Sequence, residues 1–286
     1  MSNRRNRIIE KKYRLMFLNI KLRPSADEER YSNLFRQAFE LKQPVRVRGE
    51  ECLVIKNLNE VDCAITLERH TTALVGKFVK YTSIDGQNWF DLNTMEKAED
   101  VAIPSNVFPN LKESDYFFFP EAHRLAFVSK TGFSVNTVVT FLEHLLSQVK
   151  EGDEELEVTI ITDTAQIEQI LQANEIRKLF VKLSYSNADE HEAASRVLDE
   201  LMRESNASTF KNEMSGPINP ESELVKAMLE LASNNGYAEA SVKGEGDIRF
   251  KKVKTTNYPK VIDIQSEDST LLEKVASFVI NLWRRH

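Results

Sequence analysis

The dipeptide Gly76-Lys77 is the first place where residue types suggest chemistry. A phosphate-cradling loop places another glycine five positions before such a glycine and a serine or threonine after the lysine. Here residue 71 is Thr and residue 78 is Phe, so neither the tight turn nor the magnesium-binding hydroxyl is supplied. His191-Glu192 opens a zincin pattern, but the second histidine would have to be residue 195, which is Ser. The histidines His70, His123, His144, His191 and His286 are otherwise scattered, and no metal site is expected. Gly244-Glu245-Gly246 has no helix after it to present free N–H groups, and reads as a turn. There is no Gly-x-Ser-x-Gly elbow, and neither Cys52 nor Cys63 has a histidine close by to activate it. Asp163 ends an expected strand, where metal-dependent nucleases place a carboxylate. The accompanying Glu-x-Lys occurs as Glu40-Leu41-Lys42, at an expected helix end rather than on a strand. These residues predict a protein without catalytic residues, metal or cofactor, with a divergent metal-dependent nuclease as the enzymatic alternative.

Two basic clusters are the strongest local signals. Residues 1–14 hold Arg4, Arg5, Arg7, Lys11, Lys12 and Arg14 against Glu10. Residues 243–260 hold Lys243, Arg249, Lys251, Lys252, Lys254 and Lys260 against Glu245 and Asp247. Such clusters neutralise phosphates and release counterions. The candidate DNA contacts are Arg4, Arg5, Arg7, Lys11 and Lys12 in the N-terminal arm, with Lys251, Lys252 and Lys254 as a second stripe. Two readings stand for each cluster. The arm is a phosphate binder or a solvated terminus. The stripe is an exposed basic edge, or a charged edge strand that discourages pairing with another sheet. On a strand, Arg249, Lys251 and Val253 share one face, and Phe250, Lys252 and Lys254 the other. The net charge of −6 works against nucleic acid as a partner, and acid gathers at Glu151, Asp153, Glu154, Glu155 and Glu157. The run Tyr116-Phe117-Phe118-Phe119 could stack bases. Aromatics on a strand that precedes an amphipathic helix predict a core instead.

The elements that must position these groups follow from periodicity and turn chemistry. At 286 residues the chain exceeds one comfortable core, and 41% hydrophobic against 29% charged residues supplies two. No apolar run approaches the ~18–20 residues of a membrane span. The first residues lack the apolar stretch of a signal peptide, and two unpaired cysteines fit a reducing cytoplasm. Residues 13–23 are apolar on both faces and predict a central strand. Ser25 and Glu28 have capping-box spacing ahead of a helix that turns Tyr31, Leu34, Phe35, Ala38 and Phe39 inward. Residues 45–84 are strand-rich and end at Asp85-Gly86, a turn signal. Tyr116–Phe119 and Arg124–Val128 predict a hairpin. Ser134 caps a helix with Val135, Val138, Val139, Leu142, Leu145, Leu146 and Val149 at helical spacing.

The acidic run after that helix sets an expected boundary: an N-terminal α+β domain with the basic arm over 1–150, and a C-terminal α+β domain over 151–286. The second half reads as strand 157–162, helix 164–174, strand 177–185 and helix 189–204, with Val197, Leu198, Leu201 and Met202 inward. A loop over 205–220 follows, then a helix over 221–234 begun by Pro220 and stopped by Asn235-Gly236. A meander of strands at 237–243, 247–254 and 260–265 precedes a helix over 269–285. The expected fold class is α+β: two mixed sheet-and-helix domains, with mostly antiparallel sheets.

The stretch Tyr116–Leu146, YFFFPEAHRLAFVSKTGFSVNTVVTFLEHLL, resembles the RexA-like family, the phage lambda exclusion protein and bacterial proteins related to it. Gly236–Lys254 is similar to the late meander of that group. The likeness covers the central third and part of the last third, and rests on fold-determining residues rather than a catalytic signature. It implies a cytoplasmic homodimer that binds double-stranded DNA with little sequence preference. It further implies a non-enzymatic sensor or effector in phage exclusion by abortive infection, working with a membrane-protein partner without being a membrane protein itself. No functional residue is carried over from the family; the DNA contacts named above come from local charge. The interaction alternative is a protein-binding subunit of a defence or toxin–antitoxin complex, using the amphipathic helices and the acidic 151–175 segment.

Overall fold

Residues Lys11–Arg23 form strand β1, the spine of the larger sheet. Leu15, Phe17, Leu18 and Ile20 are all fully buried, as a strand covered on both faces requires. The computed structural model describes residues 10–23, 26–66, 69–84, 89–98, 101, 104–185 and 193–283. The predicted features at Arg4, Arg5, Arg7, Ser25, Asp85-Gly86, His191-Glu192 and His286 lie outside these residues.

After β1 come α1 (Glu28–Glu40), β2 (Val45–Arg48), β3 (Glu51–Thr66), β4 (Arg69–Thr82), β5 (Phe90–Asp91), β6 (Glu96–Lys97), β7 (Lys112–Phe119) and β8 (Arg124–Val128). Next are α2 (Val135–Ser147), β9 (Glu155–Ile160), α3 (Thr164–Leu171), β10 (Glu175–Leu183), α4 (Ala193–Glu204), β11 (Phe210–Ile218) and α5 (Glu223–Asn235). The chain closes with β12 (Gly236–Lys243), β13 (Lys251–Lys254), β14 (Val261–Ser266) and α6 (Leu271–Trp283). Every strand pairing among the described residues is antiparallel. The fold is α+β.

The larger sheet runs β14-β1-β8-β7-β4-β3-β2, with β9 also on β1. β14 pairs with Lys11–Met16 and β9 with Leu18–Arg23, so the two share one side of β1 end to end. Thus β9 and β14, both beyond the expected boundary at residue 150, hydrogen-bond to the first strand of the chain. The side chains of β7 alternate between two cores. Tyr116 and Phe118 face α1 and α2, where Phe118 stacks on Phe35 with ring centroids 4.1 Å apart. Phe117 and Phe119 face α6 together with Leu15 and Phe17. The aromatic run is therefore core, as its place on a strand before an amphipathic helix predicts.

The smaller sheet, β11-β10-β12-β13, buries one face against α3, α4 and α5. Four expectations change here. Residues 210–218, read as loop because of Gly216-Pro217, form the edge strand β11, a position where proline costs no ladder bond. The expected meander breaks after β13, because β14 crosses to pair with β1. Of the four residues of α4 expected to face inward, Leu198 and Met202 are buried while Val197 and Leu201 are exposed. The α5 helix starts at Glu223 after Ser222 rather than at Pro220. It does stop at Asn235-Gly236, for a different reason. Gly236 is extended, with φ 170°, and a Cβ there would lie 1.9 Å from the Lys182 carbonyl oxygen. The glycine is needed for close strand approach, not for a left-handed cap. At the other end of the chain, α1 is capped by Asp27, whose carboxylate accepts from the Arg30 N–H at 2.8 Å.

Candidate nucleic-acid interface

The α6 helix covers only part of its face of the larger sheet. Beyond its N-terminus an open groove of about 810 Å³ lies over the start of β1 and the middle of β4 and β7. Three cations turn their side chains to it, Lys11 from β1, Lys77 from β4 and Lys130 just after β8, whereas strand alternation puts Lys12 and Arg14, which also border it, on the opposite face of β1 from Lys11, Tyr13 and Leu15. Two carboxylates, Asp268 and Asp115, pair with these three cations, and a third, Asp263, pairs with Lys12 and Arg14. Asp268 pairs with Lys11 at 2.7 Å and also accepts from the Tyr13 hydroxyl. Asp263 is shared by Lys12 at 2.8 Å and Arg14 at 3.2 Å. Asp115 is shared by Lys77 and, at 3.2 Å, Lys130. Positive charge therefore exceeds negative charge around one concavity, the condition for focusing an anionic ligand.

The carboxylates register the cations beside them. The side-chain bonds from Lys12 and then Arg14 hold Asp263 below its ordinary pKa. For Asp115 the largest single influence is burial, which opposes ionisation, yet Lys77 and Lys130 together outweigh it and keep the group below its ordinary value.

Local structure explains why these cations share the groove. Strand alternation puts Lys77 on the face opposite the fully buried Phe78. The β3–β4 register slips between Ile55 and Asn57, and the Asn57 carbonyl crowds β4. A Cβ on Gly76 would sit 1.9 Å from that oxygen and 2.8 Å from the Tyr116 hydroxyl oxygen. The Gly-Lys pair that fails as a phosphate loop is thus a glycine that admits a bulge, followed by a groove lysine. Of the arm residues, Lys11 is in the groove, and Lys12 pairs with Asp263 on the other face of β1. Lys77 and Lys130 were not singled out from sequence as contacts. Their signal was a lysine inside an apolar strand and another just after an apolar strand, and only tertiary structure joins the two.

The second stripe lies elsewhere. β13 is the edge strand of the smaller sheet, with Val253 turned into the core. Lys251 pairs with Asp247 at 2.8 Å, and Lys252 and Lys254 share Glu239 at 3.1 and 2.7 Å. Lys251 and Lys252 border a separate cleft of about 430 Å³ beneath α3, where Glu168 and Asp247 balance them. The side-chain bond from Lys254 leads in holding Glu239 below its ordinary value. Gly244-Glu245-Gly246 is the turn into this strand, with Gly246 at φ 77° and the Gly244 N–H donated to Asp247.

Asp163 is the N-cap of α3, accepting from the Ala165 N–H at 3.0 Å, and Glu40-Leu41-Lys42 lies at the end of α1. Among the described residues no three His, Cys, Asp or Glu side chains gather as a metal site. Burial raises the Cys63 thiol to about 11. No described helix is long and apolar enough to cross a membrane.

A family model described as a domain of unknown function, DUF4747, matches residues 11–281. No curated protein matches the chain.

Proposed function

We propose that this chain, which belongs to the DUF4747 family, is a non-enzymatic DNA-binding sensor or effector that holds phosphates in the groove at the start of β1. The observation that carries the reading is the excess of cations over carboxylates around that groove, beside the first residues of β1, which follow Arg4, Arg5 and Arg7 in the sequence. The ligand is double-stranded DNA read through its backbone. Lysines and arginines held by carboxylates along a sheet face offer charge but no pattern of donors matched to base edges. The second stripe, balanced by Asp247 and Glu239, contributes little to this affinity. The likeness of Tyr116–Leu146 and Gly236–Lys254 to RexA-like proteins supports a cytoplasmic role in phage exclusion, as a homodimer acting with a membrane protein.

Fluorescence anisotropy of a labelled duplex of mixed sequence, titrated with the intact chain at several salt concentrations, tests the reading. The expected result is nonspecific binding, with Kd on the order of 10⁻⁴–10⁻⁶ M near physiological salt and weakening steeply as salt rises. Absence of binding at low salt would overturn it.

A further inference from the structure

We infer that two copies of this chain join through β11, edge to edge, about a two-fold axis passing through Asn212. The inference gives a place to the homodimer proposed above, and it rests on β11 rather than on the DNA groove. β11 is one edge of the smaller sheet. It pairs with β10 on one side, and among the described residues no strand pairs with its other side. An open edge invites pairing with another chain, and proteins blunt such edges by keeping them short or rich in lysine. The opposite edge of this sheet is blunted in that way: β13 has four residues, and Lys251, Lys252 and Lys254 are three of them. β11 has nine residues and one lysine. Its Gly216-Pro217 lies where the register with β10 slips, between Ser215 and Ile218, which leaves Phe210–Ser215 regular and open to pairing.

The core beneath this edge is unfinished. Phe210, Asn212 and Met214 stand opposite Leu183, Val181 and Leu179, all fully buried. They share the core face of the sheet, yet all three are only half-buried. Asn212 interrupts the apolar row, and its buried Oδ1 has no hydrogen-bond partner among the described residues. A buried acceptor left unpaired costs free energy until a donor reaches it.

Residue order selects the occupant. Phe210-Lys211-Asn212-Glu213-Met214 runs apolar, charged, Asn, charged, apolar from either end, with the sign of the charge reversed. Antiparallel neighbours keep their core side chains on one face, so a two-fold axis normal to the sheet passes through a residue and never between two. Through Asn212 it sets Lys211 opposite Glu213 twice, Phe210 opposite Met214 twice, and Asn212 opposite its copy. Each Asn212 Oδ1 then accepts from the Nδ2–H of the other. An axis through Lys211 or Glu213 would bring like charges face to face, and one through Met214 would set Lys211 against Pro217. Opposite charges and apolar pairs across strands stabilise a sheet, and like charges oppose it. Pairing by strand addition joins two four-stranded sheets into one and covers the open side of both cores.

Analytical ultracentrifugation of the full chain without DNA, over a dilution series, tests this arrangement. The expected result is a reversible monomer–dimer equilibrium. Lys211→Glu and Glu213→Lys should each weaken association about tenfold or more, because each change places two like-charge pairs in the dimer. An equimolar mixture of the two single variants should associate at least as tightly as the native chain, since every Lys211–Glu213 position then holds opposite charges. Both side chains are exposed, so the variants should keep the native circular dichroism spectrum. Lys77→Ala/Lys130→Ala should dimerise like the native chain, so loss of DNA binding and loss of the dimer are separate results. A monomer at every concentration would overturn the inference, leaving β11 to a strand of another protein. A dimer that both single variants leave intact, or single variants that stay apart when mixed, would overturn it as well.

Discussion

Asp115 sits between Lys77 and Lys130, and Asp263 between Lys12 and Arg14. Asp115 holds the groove cations Lys77 and Lys130 in place, and it also competes with any phosphate that enters. Replacing Asp115 by Asn should therefore tighten DNA binding, roughly three- to tenfold for a partly screened charge, read as a lower Kd at fixed salt. The same bonds make a prediction about acid. The folded-state pKa of Asp115 lies below its ordinary value, so its stabilisation is complete above the unfolded pKa of about 4 and is lost as pH falls through the lowered value. Glu154 behaves alike, chiefly through its side-chain bonds from Arg30 at 2.7 and 2.5 Å. The melting temperature should thus fall as pH drops below about 4, and fall less steeply in Asp115→Asn. Gly76 is the other residue with a sharp expectation. A methyl group 1.9 Å from the Asn57 carbonyl oxygen forces the bulge to move. Gly76→Ala should destabilise by at least ~2 kcal/mol in denaturant unfolding.

Elements with a local cause were legible in the sequence. The α2 helix runs Val135–Ser147 with Ser134 as its cap, its hydroxyl accepting from the Thr137 N–H at 3.2 Å. Its seven apolar residues at helical spacing had no competing reading. The hairpin of β7 and β8 was equally plain, because two short apolar runs flank the turn at Pro120–His123, as strands buried on both faces do. Elements whose cause is distant were not. β11 alternates half-buried with exposed residues and carries Gly216 and Pro217, so only its pairing with β10 reveals a strand. Val197 and Leu201 look inward on a helical wheel, but α4 rests on the smaller core by one narrow edge. The start of α1 was masked by a rival signal: Asp27 caps it, and Asp27→Ala should cost about 1 kcal/mol in a thermal melt.

The whole molecule is closed by its own C-terminus. β14 lies on the first half of β1, and α6 covers Leu15, Phe17 and Phe119. That return also supplies Asp263 and Asp268, the carboxylates that hold Lys12, Arg14 and Lys11. The groove was therefore only half visible in the sequence. Lys11 was identifiable from local charge, while Lys77 and Lys130 join it through strand order and register, which periodicity does not reveal. A consequence is that residues 1–150 alone leave the α6 face of the sheet bare, and should be cut rapidly by chymotrypsin under conditions where the full chain resists. The account as a whole rests on the groove. Its most direct test is the slope of log K against log salt for DNA binding, measured for the intact chain and for Lys77→Ala/Lys130→Ala. Each phosphate contact contributes about 0.9 to that slope, so the variant should bind more weakly with a slope shallower by roughly 2. An unchanged affinity and slope would contradict the assignment of the groove as the DNA interface.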